Sequence, residues 1–559
     1  MKHQTVTTLR RCVFAACALA CAILASRALP YIKAQRERMD LNPYTDIANV
    51  SPGIELATKS LGCFRAIAIA ALWVRATNLQ DDGKFFELND LFRLISQLEP
   101  RFASVWYYWA WNLAYNCSVK FPASQPEERW RWVQLGIEIL RDRGIPVNPR
   151  SPTLYRELAW IYSHKIGQNM DDAHEYYKMR LALEMQEALG KPPYKERIEA
   201  MAAAPATQRE LMADPAVRTL VEALATTQTD PFKRPLDVAN RDPKLPPRAL
   251  AILGDPAYAQ GVERLDAFLR ARHARDTLKL DLARMLKYTK DFGPIDWRLP
   301  DALALYWAAR SVEIFGADPF HAANSDRLLF SSLVELYRRG RLRFEPPSDT
   351  EDGVWVVAPN FAFLEPIVRL HEEIVKRNEG TDLDDPTRDG FFNFLRDAIL
   401  NLYLHTDEKN AQRYLRKLIT MGGEPEMTLE TFIERRYKEL LKGITYEQAT
   451  NLIRSRLFNS LFWVSLGFPD RAQGQDNLAR FLYNKYAEDH PSDRFRLPPY
   501  RRLWLDALRE AIIRMRPFQI EELRRLYTND VKAVEEELKK LQQPRPAPAP
   551  PRTPPAPKP

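Results

Sequence analysis

The segment IAALWVRATNLQDDGKFFELNDLFRLISQLEP, residues 69–100, contains two amphipathic helical patterns joined by a turn at Asp82-Gly83. Key residues of each pattern recur at spacings of three and four, which places them on one helix face. The first face consists of Leu72, Arg75, Ala76 and Leu79. The second face consists of Leu88, Phe92 and Ile95. Pro100 is expected to end the second helix, so the segment predicts a pair of antiparallel helices.

The same first-helix face recurs twice further along the chain, each time with a small residue in the same position. The two faces are Trp106, Trp109, Ala110 and Leu113, and Tyr155, Leu158, Ala159 and Tyr162. A small side chain lets two helices approach closely, and the larger neighbours fill the groove between them. Because one helical pair cannot bury its own apolar face, this pattern predicts pairs that stack on one another.

Residues 72–100 resemble a tetratricopeptide repeat in the Gly83-Lys84-Phe85 turn, the spacing of the helices and the closing Pro100. The unit departs from the family pattern at Arg75, where the family has a large apolar residue, and at Ala76, where it prefers glycine. The chain also resembles a group of uncharacterised bacterial membrane-anchored repeat proteins. The resemblance implies an all-α solenoid of helical hairpins that binds other proteins.

Residues 395–418 repeat the pattern of a small residue among larger apolar residues, and they extend the predicted helical architecture. Their two faces are Leu395, Ala398, Ile399 and Leu402, and Ala411, Leu415 and Leu418. We therefore predict one helical array over residues 53–190 and a second, degenerate array over residues 300–541. The proline-interrupted residues 191–299 predict short helices and loops, either an insert or a spacer. Residues 344–360, with adjacent prolines and an acidic run, predict a loop.

Residues 12–32 form an apolar stretch of transmembrane length that follows the short N-terminal tail, residues 1–11. Basic residues flank both ends of the stretch. The alternative is a cleaved signal peptide, because Ala18-Leu19-Ala20 resembles a small-residue cleavage site. The length of the apolar stretch, residues 12–32, favours an uncleaved anchor over a cleaved signal peptide. We therefore predict a single-pass membrane protein whose body lies outside the cytoplasm, in the periplasm of a bacterial envelope.

The net charge of +8 is concentrated at the two ends of the 559-residue chain. The first 39 residues carry +6 and the residues after 543 carry +3, which leaves the body between them at −1. A body so close to neutral lacks the basic surface that nucleic-acid binding requires, so no nucleic-acid partner is expected. The proline-rich residues 542–559 predict a disordered, polyproline-like tail, either solvated or bound by a partner.

In such an array, the residues beside the packing positions of each first helix face a concave groove. These candidate partner-binding residues are Trp73, Tyr107, Trp111, Tyr115, Arg156, Trp160 and His164. Trp, Tyr and Arg are frequent anchors at interfaces, so a peptide or helix of a partner protein is the expected ligand. The alternative is that these aromatics pack on adjoining helices or are covered by residues 191–299.

Catalytic and metal-binding patterns are weak throughout the sequence. His164, Asp171, Asp172 and His174 lie close together, but their spacing lacks the paired histidines of a helical zinc motif, and a surface turn is expected. No phosphate-binding loop, nucleophile elbow or dinucleotide motif occurs, so no catalytic residue and no cofactor is predicted. The alternatives are an enzyme with a site in residues 191–299 and a purely structural subunit whose groove is filled by its own chain.

Overall fold

The computed structural model describes residues 65–315, 319–347, 353–380, 384–405, 407–441, 445–490 and 496–542, with a few positions between 27 and 38. These residues form two compact units. Unit 1 contains the described parts of Met1–Leu181, Arg272–Asp281 and Leu303–Leu329. Unit 2 contains those of Ala182–Ala271, Leu282–Ala302 and Phe330–Pro559. Both units are mostly helical, as the sequence predicts.

The described elements are given in chain order. The first are α1 (Arg65–Asp81), α2 (Phe85–Leu98), α3 (Ala103–Trp111), π1 (Asn112–Cys117), a 3₁₀ turn (Ser118–Lys120), α4 (Pro126–Glu138), π2 (Ile139–Gly144), α5 (Ile145–Val147), α6 (Pro152–Trp160), π3 (Ile161–Gly167) and α7 (His174–Leu189). They continue with α8 (Tyr194–Ala203), α9 (Gln208–Leu211), α10 (Pro215–Ala225), α11 (Pro235–Asn240), α12 (Pro247–Gly254), a 3₁₀ turn (Pro256–Tyr258), α13 (Ala259–Asp276) and α14 (Leu282–Phe292).

The remaining elements complete the described chain. They are α15 (Pro300–Phe315), α16 (Pro319–Arg339), β1 (Arg341–Glu345), β2 (Val354–Ala358), a 3₁₀ turn (Phe361–Phe363), α17 (Leu364–Asn378), α18 (Asp384–Leu404), α19 (Glu408–Thr420), α20 (Leu429–Leu441), α21 (Tyr446–Ser465), α22 (Pro469–Asp489), α23 (Tyr500–Arg514), α24 (Pro517–Leu526) and α25 (Thr528–Gln542).

Helical pairs stack in unit 1, as the repeated face predicts. Helix α1 packs against α2, π1 packs against α4, and α3 contacts both α2 and α6. The residues predicted to face inward are buried on α2, on α3–π1 and on α6–π3. On α1, Ala76 and Leu79 are buried, but Leu72 is half-buried and Arg75 is exposed. The buried face of α1 is therefore narrower than predicted, because a charged side chain is costly to bury without a partner.

The helices α3–π1 and α4 approach closely at small residues. A Cβ added to Gly136 on α4 would lie 2.8 Å from the Ala110 carbonyl oxygen and 3.1 Å from the Ala114 Cβ. Ala110 and Ala114 are themselves fully buried. The periodicity of the sequence identifies Ala110 as a packing position. It does not identify Gly136, the residue of α4 that Ala110 meets.

We expect Gly136→Ala to lower the free energy of unfolding by about 1–3 kcal/mol, because the added methyl group meets the backbone of the neighbouring helix. Urea denaturation followed by circular dichroism measures this change. The matched control is Gly390→Ala in α18, where an added Cβ has no neighbour within 4 Å. That variant should be neutral or slightly more stable. Equal losses in both variants would contradict the close-approach argument.

Unit 2 contains the later helical pair that the sequence predicts. Helix α18 packs against α19, and all seven residues of the two predicted faces are buried. Helix α21 packs against α22 and α23. A capping box begins α21, because Thr445 accepts from the Gln448 amide at 3.3 Å and the Gln448 side chain accepts from the Thr445 amide at 2.9 Å. Gly467, with φ of +80°, lies in the turn between α21 and α22.

The prediction of a loop over residues 344–360 is wrong for residues 344–345 and 354–358, which lie in strands. Strands β1 and β2 pair antiparallel, with Arg341 opposite Ala358 and Glu345 opposite Val354. The run Val354-Trp355-Val356-Val357 is β-branched and aromatic, the composition that favours strands. The adjacent prolines that suggested a loop lie directly after β1.

Residues 191–299 form seven described helices, some of them short as predicted and α13 long. They also bury a shared apolar core, which a loose spacer would lack. The core includes Val217, Leu220, Leu224, Leu265, Phe268 and Leu269. Residues 191–271 and 282–299 of this segment belong to unit 2, together with the described residues after 330.

Two predictions at the chain ends fall on residues that are not described. Residues 1–11, most of the predicted anchor over 12–32, and residues 543–559 of the proline-rich tail lie outside the described part of the chain. Among the helices that are described, none has both the length and the apolar character needed to cross a bilayer.

His371 on α17 is buried between two aromatic rings of unit 2. Its ring stacks on Phe391 at 4.2 Å between centroids and lies 4.8 Å from Phe330. Its Nε2 lies 3.0 Å from the Thr387 carbonyl oxygen, and its buried Nδ1 has no hydrogen-bond partner among the described residues. Burial outweighs the Thr387 bond and lowers the pKa of His371 from 6.5 to about 4.

Because the unfolded chain binds a proton at His371 more readily than the folded chain, stability should fall as the pH is lowered from about 6.5 to about 4. This difference in pKa corresponds to about 3 kcal/mol. Urea denaturation across this pH range, compared with a His371→Phe variant that cannot be protonated there, measures it. The variant should show a shallower pH dependence. Parallel curves would show that His371 does not contribute.

Candidate functional site

The seven predicted groove residues lie on three neighbouring segments of unit 1. Helix α1 carries Trp73; α3–π1 carries Tyr107, Trp111 and Tyr115; α6–π3 carries Arg156, Trp160 and His164. Trp111 is 40% exposed and Trp160 is 41% exposed, although both are large apolar side chains. The other five are half-buried. These side chains therefore pack on one another, and Trp111 and Trp160 also present their rings to solvent.

Four of these rings form a continuous series of ring contacts, which we call the aromatic row. Trp111 stacks on Tyr115 at 5.3 Å, Tyr115 lies 5.9 Å from His164, and His164 stacks on Trp160 at 4.7 Å and an angle of 11°. Within each helix the paired residues are four apart, the spacing that places side chains side by side. The aromatic row crosses from α3–π1 to α6–π3, and the segments π1 and π3 contact each other.

π-Helical turns accompany both ends of the aromatic row. Segment π1 begins directly after Trp111 and π3 begins directly after Trp160. A third π-helical segment, π2, follows α4. Such turns are rare in proteins and occur frequently at functional sites. A single sequence offers no pattern from which they could be predicted.

Trp73 belongs to a second aromatic group beside the row. Its ring lies 5.4 Å from Tyr108 in an edge-on arrangement and 5.5 Å from Phe102. Tyr108 in turn lies 4.4 Å from Tyr107. Tyr108, which is 40% exposed, is not among the seven predicted residues. The position of Tyr108 next to Tyr107, on an aromatic-rich helix, is the sequence feature that could have identified it.

A cleft of about 280 Å³ lies where these aromatic groups meet. It is lined by Gln80, Leu88, Phe92, Tyr107, Tyr108, Trp111, Asn112, Asn116 and Glu157. Two of the seven predicted residues, Tyr107 and Trp111, therefore line the cleft, and the other five lie outside its lining. Glu157 is the charged residue in that lining, and Arg156 donates to its Oε1 at 3.1 Å.

The aromatic row is uncharged at neutral pH. Burial raises the pKa of Tyr115, and burial together with the charge of Lys165 lowers the pKa of His164. The Tyr115 hydroxyl lies 3.3 Å from His164 Nδ1, and it donates if the neutral ring carries its proton on Nε2. Burial and the contact with Tyr108 raise the pKa of Tyr107 to about 12. These groups therefore offer stacking surfaces and neutral hydrogen-bonding groups.

Asp171 lies at the centre of a buried ionic cluster behind the row. Arg129 Nη1 donates to Asp171 Oδ1 at 2.9 Å, and Lys165 Nζ donates to Asp171 Oδ2 at 2.6 Å. The Ala173 amide and the Tyr177 hydroxyl also donate to Oδ1, at 2.9 and 3.3 Å. Burial opposes the carboxylate charge, but these bonds outweigh it and lower the pKa of Asp171.

The prediction of a surface turn is therefore wrong for Asp171, since its side chain is buried and bonded on both oxygens. The structure does not bring Asp171 together with His164, Asp172 and His174 as ligands. Within the described residues, no group of three or more His, Cys, Asp or Glu side chains could hold a metal ion. Lys165 Nζ lies 5.2 Å from the centre of the Tyr115 ring, so the cluster contacts the aromatic row from behind.

We expect Asp171→Asn to lower the free energy of unfolding by about 3–5 kcal/mol, because it leaves Arg129 and Lys165 buried without a counter-charge. The neighbouring Asp172 is exposed, so Asp172→Asn serves as the matched control and should change stability by less than about 0.5 kcal/mol. Urea denaturation of both variants at neutral pH measures the difference. A tolerated Asp171→Asn substitution would show that the cluster is solvated and dispensable.

Residues 191–299 contribute to two larger clefts of unit 2, of about 850 and 1230 Å³. In the first, Arg270 donates to Asp266, to the Glu187 and Ala239 carbonyls and to the Asn240 side chain. In the second, Arg298 donates to Asp296 and to Gln186. These arginines join helix ends and carboxylates, which is a structural role.

No protein-family model matches the chain, and no curated protein shows significant similarity to it. The resemblance to tetratricopeptide repeats and to membrane-anchored repeat proteins therefore stays a prediction. The proposed function is therefore based on the geometry of the aromatic row and of the cleft beside it.

Proposed function

We propose that this protein is a scaffold that binds other proteins through the aromatic row and the adjoining cleft of unit 1. The supporting observation is that Tyr108, Trp111 and Trp160 are each about two-fifths exposed on neighbouring helices whose other faces are closely packed. Large aromatic side chains supply much of the binding energy at protein interfaces, because they bury a large area with few rotatable bonds.

We also propose a wider role for the protein, which is based on the sequence. The helical pairs of unit 1 form a tetratricopeptide-like array, supported by the buried small residues Ala76, Ala110 and Ala159 at equivalent positions. The apolar residues 12–32 anchor this array in a bacterial membrane, and the body projects into the periplasm. The proposal includes no chemical step and no cofactor.

An enzyme with its site in residues 191–299 has less support. A catalytic cleft is expected to hold titratable groups whose pKa values are shifted toward a chemical role. Arg270 and Arg298, the arginines with shifted pKa in the two large clefts, are held by carboxylates and backbone carbonyls.

The test is affinity purification of the tagged, full-length protein from its native membranes, with mass spectrometry of the bound proteins. We expect a small set of partners to be lost when Trp111→Ala and Trp160→Ala are introduced together. Loss of a central aromatic anchor weakens binding by about tenfold or more. The matched control is Tyr446→Ala, which removes a ring of unit 2 that is 39% exposed.

Circular dichroism and urea denaturation should show that all three chains remain folded. Partners that persist in the double variant would place the binding surface elsewhere. Partners lost equally from the Tyr446→Ala control would show that the effect is not specific to the aromatic row. An absence of specific partners from the unaltered protein would overturn the scaffold proposal.

A further inference from the structure

The cleft of about 280 Å³ beside the aromatic row is lined by four aromatic side chains, Phe92, Tyr107, Tyr108 and Trp111. An aromatic ring attracts a cation that lies over its face. Nearby in unit 1, Lys120 lies over the Phe85 ring and Lys165 lies over the Tyr115 ring. Within the described residues, no lysine or arginine lies over any of the four rings of the cleft. Their capacity to bind a cation is therefore not used by the chain itself.

Neighbouring rings outside the lining hold the aromatic side chains of the cleft in place. Trp111 stacks on Tyr115 at 5.3 Å, and Tyr108 lies edge-on to Trp73 at 5.4 Å. Trp73 also lies 6.0 Å from Phe92, which is 3% exposed. Tyr108 and Trp111 are each 40% exposed, so a ligand can reach them. Because these rings are already ordered, a ligand would bind them without the entropic cost of ordering side chains.

The polar side chains of the cleft already have partners within unit 1. The Asn112 side chain donates to the Phe85 carbonyl oxygen at 3.0 Å, and the Asn116 side chain donates to Asn112 Oδ1 at 3.1 Å. Arg156 donates to Glu157 Oε1 at 3.1 Å. The cleft therefore favours a ligand that needs few hydrogen bonds and is held by contact with the rings.

The charges of the lining do not oppose a cation. The described lining of this cleft contains no basic residue, and its one charged residue is Glu157. Both larger clefts, which lie in unit 2, have lysine and arginine side chains in their described linings, and Tyr194 is the one aromatic residue there. Among these three clefts, the small one alone combines an aromatic lining with the absence of basic residues.

The size of the cleft limits the ligand to a small group. Sites for drug-sized molecules usually have volumes of about 300–1,000 Å³, and this cleft lies just below that range. A trimethylammonium group is small and positively charged, and it has no N–H to donate. A primary ammonium group, in contrast, has three donors and is strongly hydrated, so it requires free acceptors. The trimethylammonium group is therefore the cation that matches this lining.

We infer that the cleft binds a small soluble cation that carries a trimethylammonium group, of the chemical class of choline. The methyl groups contact the four rings, and the ring faces stabilise the positive charge. This inference goes beyond the proposed function, because the ligand is a small molecule and its binding requires no partner protein.

The test is isothermal titration calorimetry of choline with the full-length protein in a maltoside detergent, which carries no ammonium group. The matched control ligand is 3,3-dimethylbutan-1-ol, which has the shape of choline with carbon in place of the charged nitrogen. A second ligand, glycerophosphocholine, is the soluble headgroup of a lipid that carries the same trimethylammonium group together with a phosphate.

We expect choline to bind saturably and at least about tenfold more tightly than its neutral isostere, because the isostere loses the attraction between cation and rings. Glycerophosphocholine should bind more weakly than choline, since its phosphate meets a lining without a basic residue. Both comparisons use the unaltered protein, so they do not depend on the folding of a variant.

Variants then locate the site. Tyr108→Ala and Trp111→Ala should each weaken choline binding by about fivefold or more, and Trp111→Phe, which keeps a ring, should weaken it less than Trp111→Ala. The matched control is Tyr446→Ala, which removes a ring of unit 2 that is 39% exposed and should leave choline binding unchanged. Circular dichroism should show that each variant remains folded.

Several results would overturn the inference. They are an absence of saturable choline binding with a Kd below about 10 mM, equal binding of choline and its isostere, and tighter binding of glycerophosphocholine than of choline. Choline binding that is unaffected by Tyr108→Ala and Trp111→Ala, or that is weakened equally by Tyr446→Ala, would also overturn it. If partner proteins depend on Trp111 and Trp160 while choline does not bind, this inference fails and the proposed function stands.

Discussion

The close approach of α3–π1 to α4 determines the arrangement of side chains around the aromatic-rich second helical pair. Gly136 meets the backbone of Ala110 at a distance that leaves no room for a side chain. Trp106 and Trp109 of the same helix are buried as well. A helix has one such face, so the remaining aromatics of the segment must point elsewhere. Tyr108 and Trp111 are exposed for this reason, and the aromatic row is a consequence of core packing.

The periodicity of the sequence predicts the buried faces well. The faces that include Leu88, Leu158, Leu395 and Leu415 are all buried, because a spacing of three and four identifies one side of a helix wherever a core is available. A different argument, from composition, was wrong for residues 344–345 and 354–358. Prolines and acidic residues were read as a loop, although the β-branched run at Val354 carried a strand signal.

The sequence predicts which residues form the candidate site, but it does not predict how they are arranged. Periodicity identified the seven residues that flank the packing positions, but it could not show that Tyr115 and His164, which are 49 positions apart, would meet. Arg129 and Asp171 are 42 positions apart, and their ion pair likewise depends on tertiary packing. Contacts of this kind arise from the stacking of one helical pair on the next, and a single sequence carries no local pattern for them.

The ionic cluster behind the row contacts the aromatic side chains directly. Asp171 accepts from both Arg129 and Lys165, so the cluster carries one more positive than negative charge in a buried place. Such a cluster contributes little net stability when complete and costs several kcal/mol when one partner is lost. Its position suggests a use beyond stability, because Lys165 lies over the Tyr115 ring and its charge contributes to lowering the pKa of His164.

A neutral His164 lies beside Tyr115 without a charge that a ligand would have to desolvate. If partners bind as proposed, the surface selects them by shape and by apolar contact, because Glu157 in the cleft already accepts from Arg156. Burial, with a smaller contribution from Lys165, thus keeps His164 neutral, so the rings beside it offer stacking contacts without a charge.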